Sequence, residues 1–312
     1  MEISLILLKK LGIMFIYMIV GFSLSRADVI NKKGDKYLSN FLLYIIFPVV
    51  IINSFAIKRT EKNFYGFLDS FFLAIVSILL SMIVSYIIYE KYAYKKTGKA
   101  MRIDDVGVAF SSAGFMGIPI VSSMFGKDAV FFASSFAAIL TFLQWTYGVM
   151  LIADSKDYIK AKKIFLNPVL ISMVTGIIIY ISDIHINSAI SSFFNIFSYL
   201  NAPVVMIILG IYLDQIKVFS MFKEKSVYLS SILRLVLIPV LTALTIKFLP
   251  GNTEIKLITM IAASAPVGSN VAIFARLYGG DYTKAVKIVC MSTILSVITM
   301  PVIIGFSNFI FK

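Results

Sequence analysis

Two apolar stretches of the chain, one in each half, carry a proline at their centre among small and hydroxyl residues: F-S-S-A-G-F-M-G-I-P-I (Phe110 to Ile120) and I-A-A-S-A-P-V-G-S-N (Ile261 to Asn270). Proline lacks an N–H and its ring clashes with the carbonyl one turn back, so neither stretch is expected to run as unbroken helix. Lipid cannot satisfy the backbone groups that such a break releases. They are tolerated only where they are buried in protein or line a solute path, and matching breaks in two halves point to a solute site.

The apolar setting follows from composition. With 59% hydrophobic and 14% charged residues, and a mean hydropathy of +0.92, the chain holds more apolar side chain than a soluble domain buries. An all-helical integral membrane protein is expected, as a single domain over 1–312. The net charge of +13 does not indicate nucleic acid, because the lysines sit in short loops and form no basic patch interleaved with aromatics.

Ten apolar segments, at 4–25, 37–57, 64–89, 106–124, 129–152, 165–182, 190–213, 227–249, 256–278 and 285–308, each approach the about 20 residues that cross a bilayer. Lys and Arg concentrate in the loops on one side: Arg26 to Lys36, Lys91 to Arg102, Lys156 to Lys163, Lys217 to Lys225 and Arg276 to Lys287. Placing these inside a cell membrane puts both termini outside. Lys9 and Lys10 have two kinds of reading: the n-region of a signal peptide or an inside anchor, or else a pair snorkelling from the first span to the outer interface. The later loops favour the second.

Five is odd, so two five-segment halves, about 4–152 and 165–308, would enter the membrane in opposite senses. F-P-V-V-I-I (Phe47 to Ile52) in segment 2 is matched by A-P-V-V-M-I (Ala202 to Ile207) in segment 7, and Pro119 in segment 4 by Pro266 in segment 9. The residue before a proline is pushed out of the helical region, so Ile118 and Ala265 are expected to be extended, each followed by a new half-helix. The N-termini near Pro119 and Pro266 would then converge with unpaired amides and a partial positive charge, which favours an anion. Ser111, Ser112, Gly114, Gly117 and Pro119 in segment 4, with Ser264, Pro266, Ser269 and Asn270 in segment 9, form the expected substrate site. Taken singly, such small residues more often merely pack helices.

These motifs, with G-F-S-L-S-R (Gly21 to Arg26), F-G-K-D (Phe125 to Asp128) and Ala262 to Asp281 ending in Y-G-G-D, resemble over nearly the whole chain those of the auxin efflux carrier family. That family includes plant auxin transporters and bacterial proteins described as malate or malonate permeases. The resemblance implies a fold related to bile acid symporters, with segments 4 and 9 crossing in a transport bundle of segments 3–5 and 8–10. Segments 1, 2, 6 and 7 would form the scaffold, through which a homodimer is expected. Many relatives have Asn where this chain has Ser112, and Asn270 is the candidate to supply the missing amide.

No G-x-x-x-x-G-K-[ST] loop is present, so the chain itself is not expected to hydrolyse ATP. Asp69, one to two turns inside segment 3, is the one acid that reads as intramembrane and the candidate for proton coupling, with a place at the outer interface as its alternative. Arg234, two turns into segment 8, is expected to snorkel inward or find a structural partner, with an anion contact as the alternative. His185 is the single histidine and Cys290 the single cysteine, so neither a histidine-based metal site nor an internal disulfide is expected, and no cofactor or catalysis. The function expected is a secondary carrier of small organic anions such as carboxylates. A proton- or sodium-coupled symporter is the runner-up, and a non-transporting membrane sensor or scaffold the alternative of another class.

Overall fold

The computed structural model describes residues 2–30, 34–93, 95, 101–154, 166–184, 186–215 and 218–312. His185 and the loop lysines Lys32, Lys33, Lys96, Lys99, Lys156, Lys160, Lys162, Lys163 and Lys217 lie outside the described residues. Among the described residues the chain is helical, with one isolated antiparallel bridge between Ser111 and Val267.

In chain order the helices are α1 (Glu2–Arg26), α2 (Gly34–Phe41 and Phe47–Ser54, joined by the π turn Leu42–Ile46) and α3 (Glu61–Tyr86, extended by the π turn Ile87–Ala93). Next come α4 (Arg102–Ala109), α5 (the π turn Ala113–Gly117 and Ile118–Phe125) and α6 (Ala129–Leu143, the π turn Gln144–Gly148 and Val149–Ala153). The second half holds α7 (Pro168–Ile181), α8 (Ser188–Asp214) and the short α9 (Val218–Met221), then α10 (Lys225–Ile232, the π turn Leu233–Leu237 and Ile238–Lys247). It closes with α11 (Thr253–Ser264), α12 (Asn270–Tyr278) and α13 (Tyr282–Ile310). Seven of the described helices are long and apolar enough to cross a membrane, and Ala113–Phe125 and Pro168–Ile181 are shorter apolar helices.

The prolines explain much of the irregularity. Phe47, Ile118 and Ile238 each precede a proline, and each donates its N–H five residues back, to Leu42, Ala113 and Leu233 respectively. Widening the turn by one residue makes room for the proline ring at the carbonyl it would otherwise strike. This corrects the expectation at Ile118, which is helical (φ −57°, ψ −50°) rather than extended. The break in the first half lies upstream of Pro119, at Phe110 to Ser112, and the new helix starts at Ala113. In the second half Ala265 is extended as expected (ψ 148°), and helix resumes at Asn270. Helical prolines are also more widespread than the pairing of Pro48, Pro119, Pro203 and Pro266 suggests, since Pro239 and Pro301 lie inside α10 and α13.

Helix ends follow local chemistry. Y-G-G-D is a turn between helices: Gly279 takes the left-handed conformation (φ +78°) that closes α12, and the Asp281 side chain accepts the Lys284 N–H to start α13. Gly126 (φ +90°) closes α5 in the corresponding F-G-K-D.

G-F-S-L-S-R builds the contact of α1 with α8. A Cβ on Gly21 would lie 2.6 Å from Ile207 Cα, and one on Gly210 would lie 2.6 Å from Phe22 N, so the two backbones touch where only glycine fits. One helical turn further along α1, Ser25 Oγ donates to Asp214 at 2.9 Å and Arg26 pairs with the same carboxylate at 3.5 Å.

Candidate functional site

The two breaks bind each other. Ser112 N–H donates to Pro266 O at 2.7 Å and Gly268 N–H donates to Phe110 O at 3.1 Å, so four backbone groups freed from helix are satisfied across the crossing. A third free amide, Val267 N–H, donates to Ser292 Oγ at 3.1 Å. α4 and α11 end at this crossing and α5 and α12 begin there, with antiparallel sense at the bridge.

Side chains complete it. Asn270 Nδ2 donates to Gln144 Oε1 at 2.9 Å, a partner on α6 that sequence reasoning did not single out. A Cβ on Gly268 would lie 3.0 Å from Ser111 O and 3.3 Å from Gln144 Nε2. Gly117 faces Ala262, and Gly114 faces the ring of Phe47, which meets the Phe115 ring at a 49° tilt with centres 5.2 Å apart. Ser264 is buried and donates weakly to Ile261 O at 3.4 Å. Ser111 is buried with its Oγ unpartnered, and Ser112 and Ser269 are buried as well. The expected site residues are therefore gathered around one crossing, but the space at Ser111 and at Ser269 amounts to voids of about 10 Å³ each.

The larger space lies one to two turns along α5. A cavity of about 480 Å³ is bounded by α1 (Lys10, Tyr17), α2 (Asn53, Ser54), α5 (Ile118, Pro119, Ser122, Ser123), α6 (Lys127 just before it, Val130) and α8 (Asn195, Ser198, Tyr199, Asn201, Pro203). Its volume is in the range of small-molecule sites. Ser122, Ser123, Lys127 and Tyr199 are exposed whereas Asn53, Ser54, Ile118 and Asn201 are buried, so it runs from the surface to a buried floor. Of the residues expected at the site, Pro119 alone lines it.

Its chemistry is distinctive. Among the described residues two lysines line the cavity and no Asp or Glu does. Asn53 Nδ2 donates to Asn195 Oδ1 at 3.1 Å and to Ser198 Oγ at 3.2 Å, which leaves its Oδ1 unpartnered. Asn201 is 1% exposed, and neither its Nδ2 nor its Oδ1 has a partner. A buried amide with both ends free costs about 1–3 kcal/mol per group, so such a group is aimed at something that satisfies it.

The acids of interest lie in two places. Asp69 is partly buried beside Gly251 of the loop between α10 and α11. It lies twelve residues before Ser81, which reaches the crossing, hence about 18 Å away along the α3 axis. Among the described residues the fully buried carboxylates are Asp104 and Asp105 at the start of α4. Asp104 accepts from Ser230 Oγ at 2.8 Å and pairs with Lys284; Asp105 accepts from Ser85 Oγ at 2.5 Å and has its Oδ2 unpartnered. Arg102 joins this end of the protein to Asp154 of the α6 terminus at 2.8 Å, opposite the cavity end of the same helix. These acids sit just ahead of an apolar segment, where hydropathy alone reads them as loop.

Arg234 does not snorkel. It is 2% exposed, and its guanidinium donates to Ala265 O at 3.2 Å, Val108 O and Ser81 Oγ at 3.1 Å each, and Ala263 O. The structural pairing is thus with main-chain carbonyls. Among the described residues no cluster of three His, Cys, Asp or Glu side chains is arranged to hold a metal.

A family model described as membrane transport protein matches residues 6–304. No curated protein matches the chain.

Proposed function

The chain belongs to the membrane transport protein family, the auxin efflux carrier type that its motifs resemble, and from that premise we propose that it carries small organic anions, carboxylates among them, by alternating access. The observation that carries this reading is the cavity: two lysines, no carboxylate among its described lining residues, and a floor with Asn201 unpartnered at both ends of its amide and a free Asn53 Oδ1. A carboxylate accepts from Lys10, Lys127 and the Asn201 amide, and a hydroxyl or second polar group on the solute satisfies the free amide oxygens.

In this proposal α4 with α5, and α11 with α12, are two broken spans, which makes ten spans in two inverted halves. Support comes from the parallel order of the halves: helix, break, second helix, closing glycine (Gly126, Gly279) and long helix (α6, α13). The bundle of α3–α6 and α10–α13 moves against α1, α2, α7 and α8, and the cavity lies at the boundary between the two sets. The lysine distribution places both termini and the cavity mouth outside the cell membrane, and a homodimer through the α1, α2, α7 and α8 set belongs to the same reading. The tilted contact of Phe47 with Phe115 and the closed crossing separate the floor from the opposite side in this reading. Movement of α5 then passes the solute by the Ser112 and Ser269 turns, where the partial positive charge at the start of α5 and α12 favours an anion.

Proton-coupled symport is the second reading, favoured by the buried Asp105 with its unpartnered Oδ2. Uptake of labelled mono- and dicarboxylates into proteoliposomes under an imposed potential or an imposed pH gradient tests both. Saturable, potential-driven flux supports the carrier, and flux that follows the pH gradient alone supports the symporter. No saturable flux across the panel would leave the non-transporting sensor or scaffold.

A further inference from the structure

Arg234 lies outside the large cavity. Its surroundings are unusual for a buried guanidinium, because no carboxylate ion-pairs with it among the described residues. Its acceptors are three carbonyls and a serine hydroxyl.

Those carbonyls are free for a definite reason. In continuous helix, Val108 O would accept from Ser112 N–H, and Ala263 O from Val267 N–H. Here Ser112 N–H is committed to Pro266 O and Val267 N–H to Ser292 Oγ. The negative ends of two helices, α4 and α11, therefore point free oxygens at one place. Oxygens from the ends of broken helices are the ligand set that binds monovalent cations in membrane carriers. Ser81 adds a further oxygen while donating to Val108 O and Ala109 O at 3.1 and 2.8 Å.

We propose that this oxygen cluster is a monovalent-cation site which the protein fills with its own Arg234. The guanidinium is a tethered cation. It neutralises the two helix ends without an exchangeable ion, so wild-type flux does not depend on sodium or potassium. Shortening the side chain opens the site to small cations, with guanidinium and methylguanidinium the best fit to the vacated donor positions and sodium the alkali alternative. The claim about flux rests on the carrier reading. The claim about binding does not.

The test uses the full-length protein in detergent and in proteoliposomes. Arg234→Ala is expected to lower the melting temperature, and millimolar methylguanidinium or sodium to raise it again saturably, whereas choline at the same ionic strength does not. In liposomes its flux is expected to fall about tenfold or more, equivalent to at least one lost charged hydrogen bond, and to recover with methylguanidinium. Arg234→Lys is expected to keep cation-independent flux. If Arg234→Ala does not fold, Arg234→Gln takes its place in the same titration. Stability of the variant indifferent to every small cation, or wild-type flux lost when choline replaces sodium and potassium, would overturn the proposal. If wild type moves no anion at all, the carrier reading fails while the melting experiment still decides the cation site.

Discussion

Ser112 donates its amide to the Pro266 carbonyl at 2.7 Å, so the residue that opens one half's new helix turn is bonded to the proline that breaks the other half. Both segments owe their interruption to this pairing as much as to proline, since backbone groups freed in one are satisfied by the other.

The crossing is predicted to be intolerant of bulk at Gly268. Gly268→Ala places a Cβ 3.0 Å from Ser111 O, and Gly268→Val adds branches against Gln144. Overpacking of this kind costs about 1–3 kcal/mol. Flux is expected to fall in the order wild type, Ala, Val, with all three inserted in the membrane. Equal flux at matched protein levels would show that the crossing does not govern transport.

Pro119→Ala is predicted to act differently from Pro266→Ala. Pro119 sits in helix after a π turn and the break lies upstream of it, so its replacement relaxes the π turn and leaves the break intact. Pro266→Ala lets Ala265 return to helix and competes with the Ser112 bond. Transport by Pro119→Ala should stay within about threefold of wild type, under 1 kcal/mol, and that by Pro266→Ala should collapse. The reverse ranking would contradict the placement of the break.

Proline chemistry marks what the sequence could and could not reveal. Ala265 reads correctly because an ordinary helix cannot continue through Pro266. Ile118 does not, because a single wider turn houses Pro119, and the pattern that forces that turn is tertiary. Small residues at Ser111, Ser112 and Ser269 disclose a close crossing, but they carry no signal for where the space lies. That space is set by Asn53 and Asn201, ordinary amides in apolar segments whose free groups appear only when the helices are assembled. Arg234 reads as a candidate for snorkelling because its carbonyl partners are distant in sequence and exist only once both breaks have formed.

Scaffold integrity is predicted to depend on Gly21 and Gly210. Either one replaced by Val drives side-chain atoms into the facing backbone, at a cost of several times the about 1 kcal/mol of an ordinary substitution. Loss of a monodisperse species on size exclusion is the expected readout. A normal profile and melting temperature for Gly210→Val would show that α1 and α8 do not cross as described.

Asp69→Asn is predicted to keep potential-driven flux, because Asp69 lies beside Gly251 and away from the crossing. Loss of pH-driven accumulation in this variant, with wild type insensitive to potential, would instead make Asp69 the coupling group of a symporter.

The most direct test is potential-driven uptake of a labelled carboxylate into proteoliposomes by wild type and Asn201→Ala. An interior-positive potential supplies about 2.3 kcal/mol per charge per 100 mV and is expected to drive saturable uptake by wild type. Asn201→Ala should raise KM by the about 1–3 kcal/mol of a lost buried polar contact, with its maximal rate nearer to wild type. Identical kinetics in the two proteins, or no saturable flux of any carboxylate in wild type, would contradict anion carriage through this cavity.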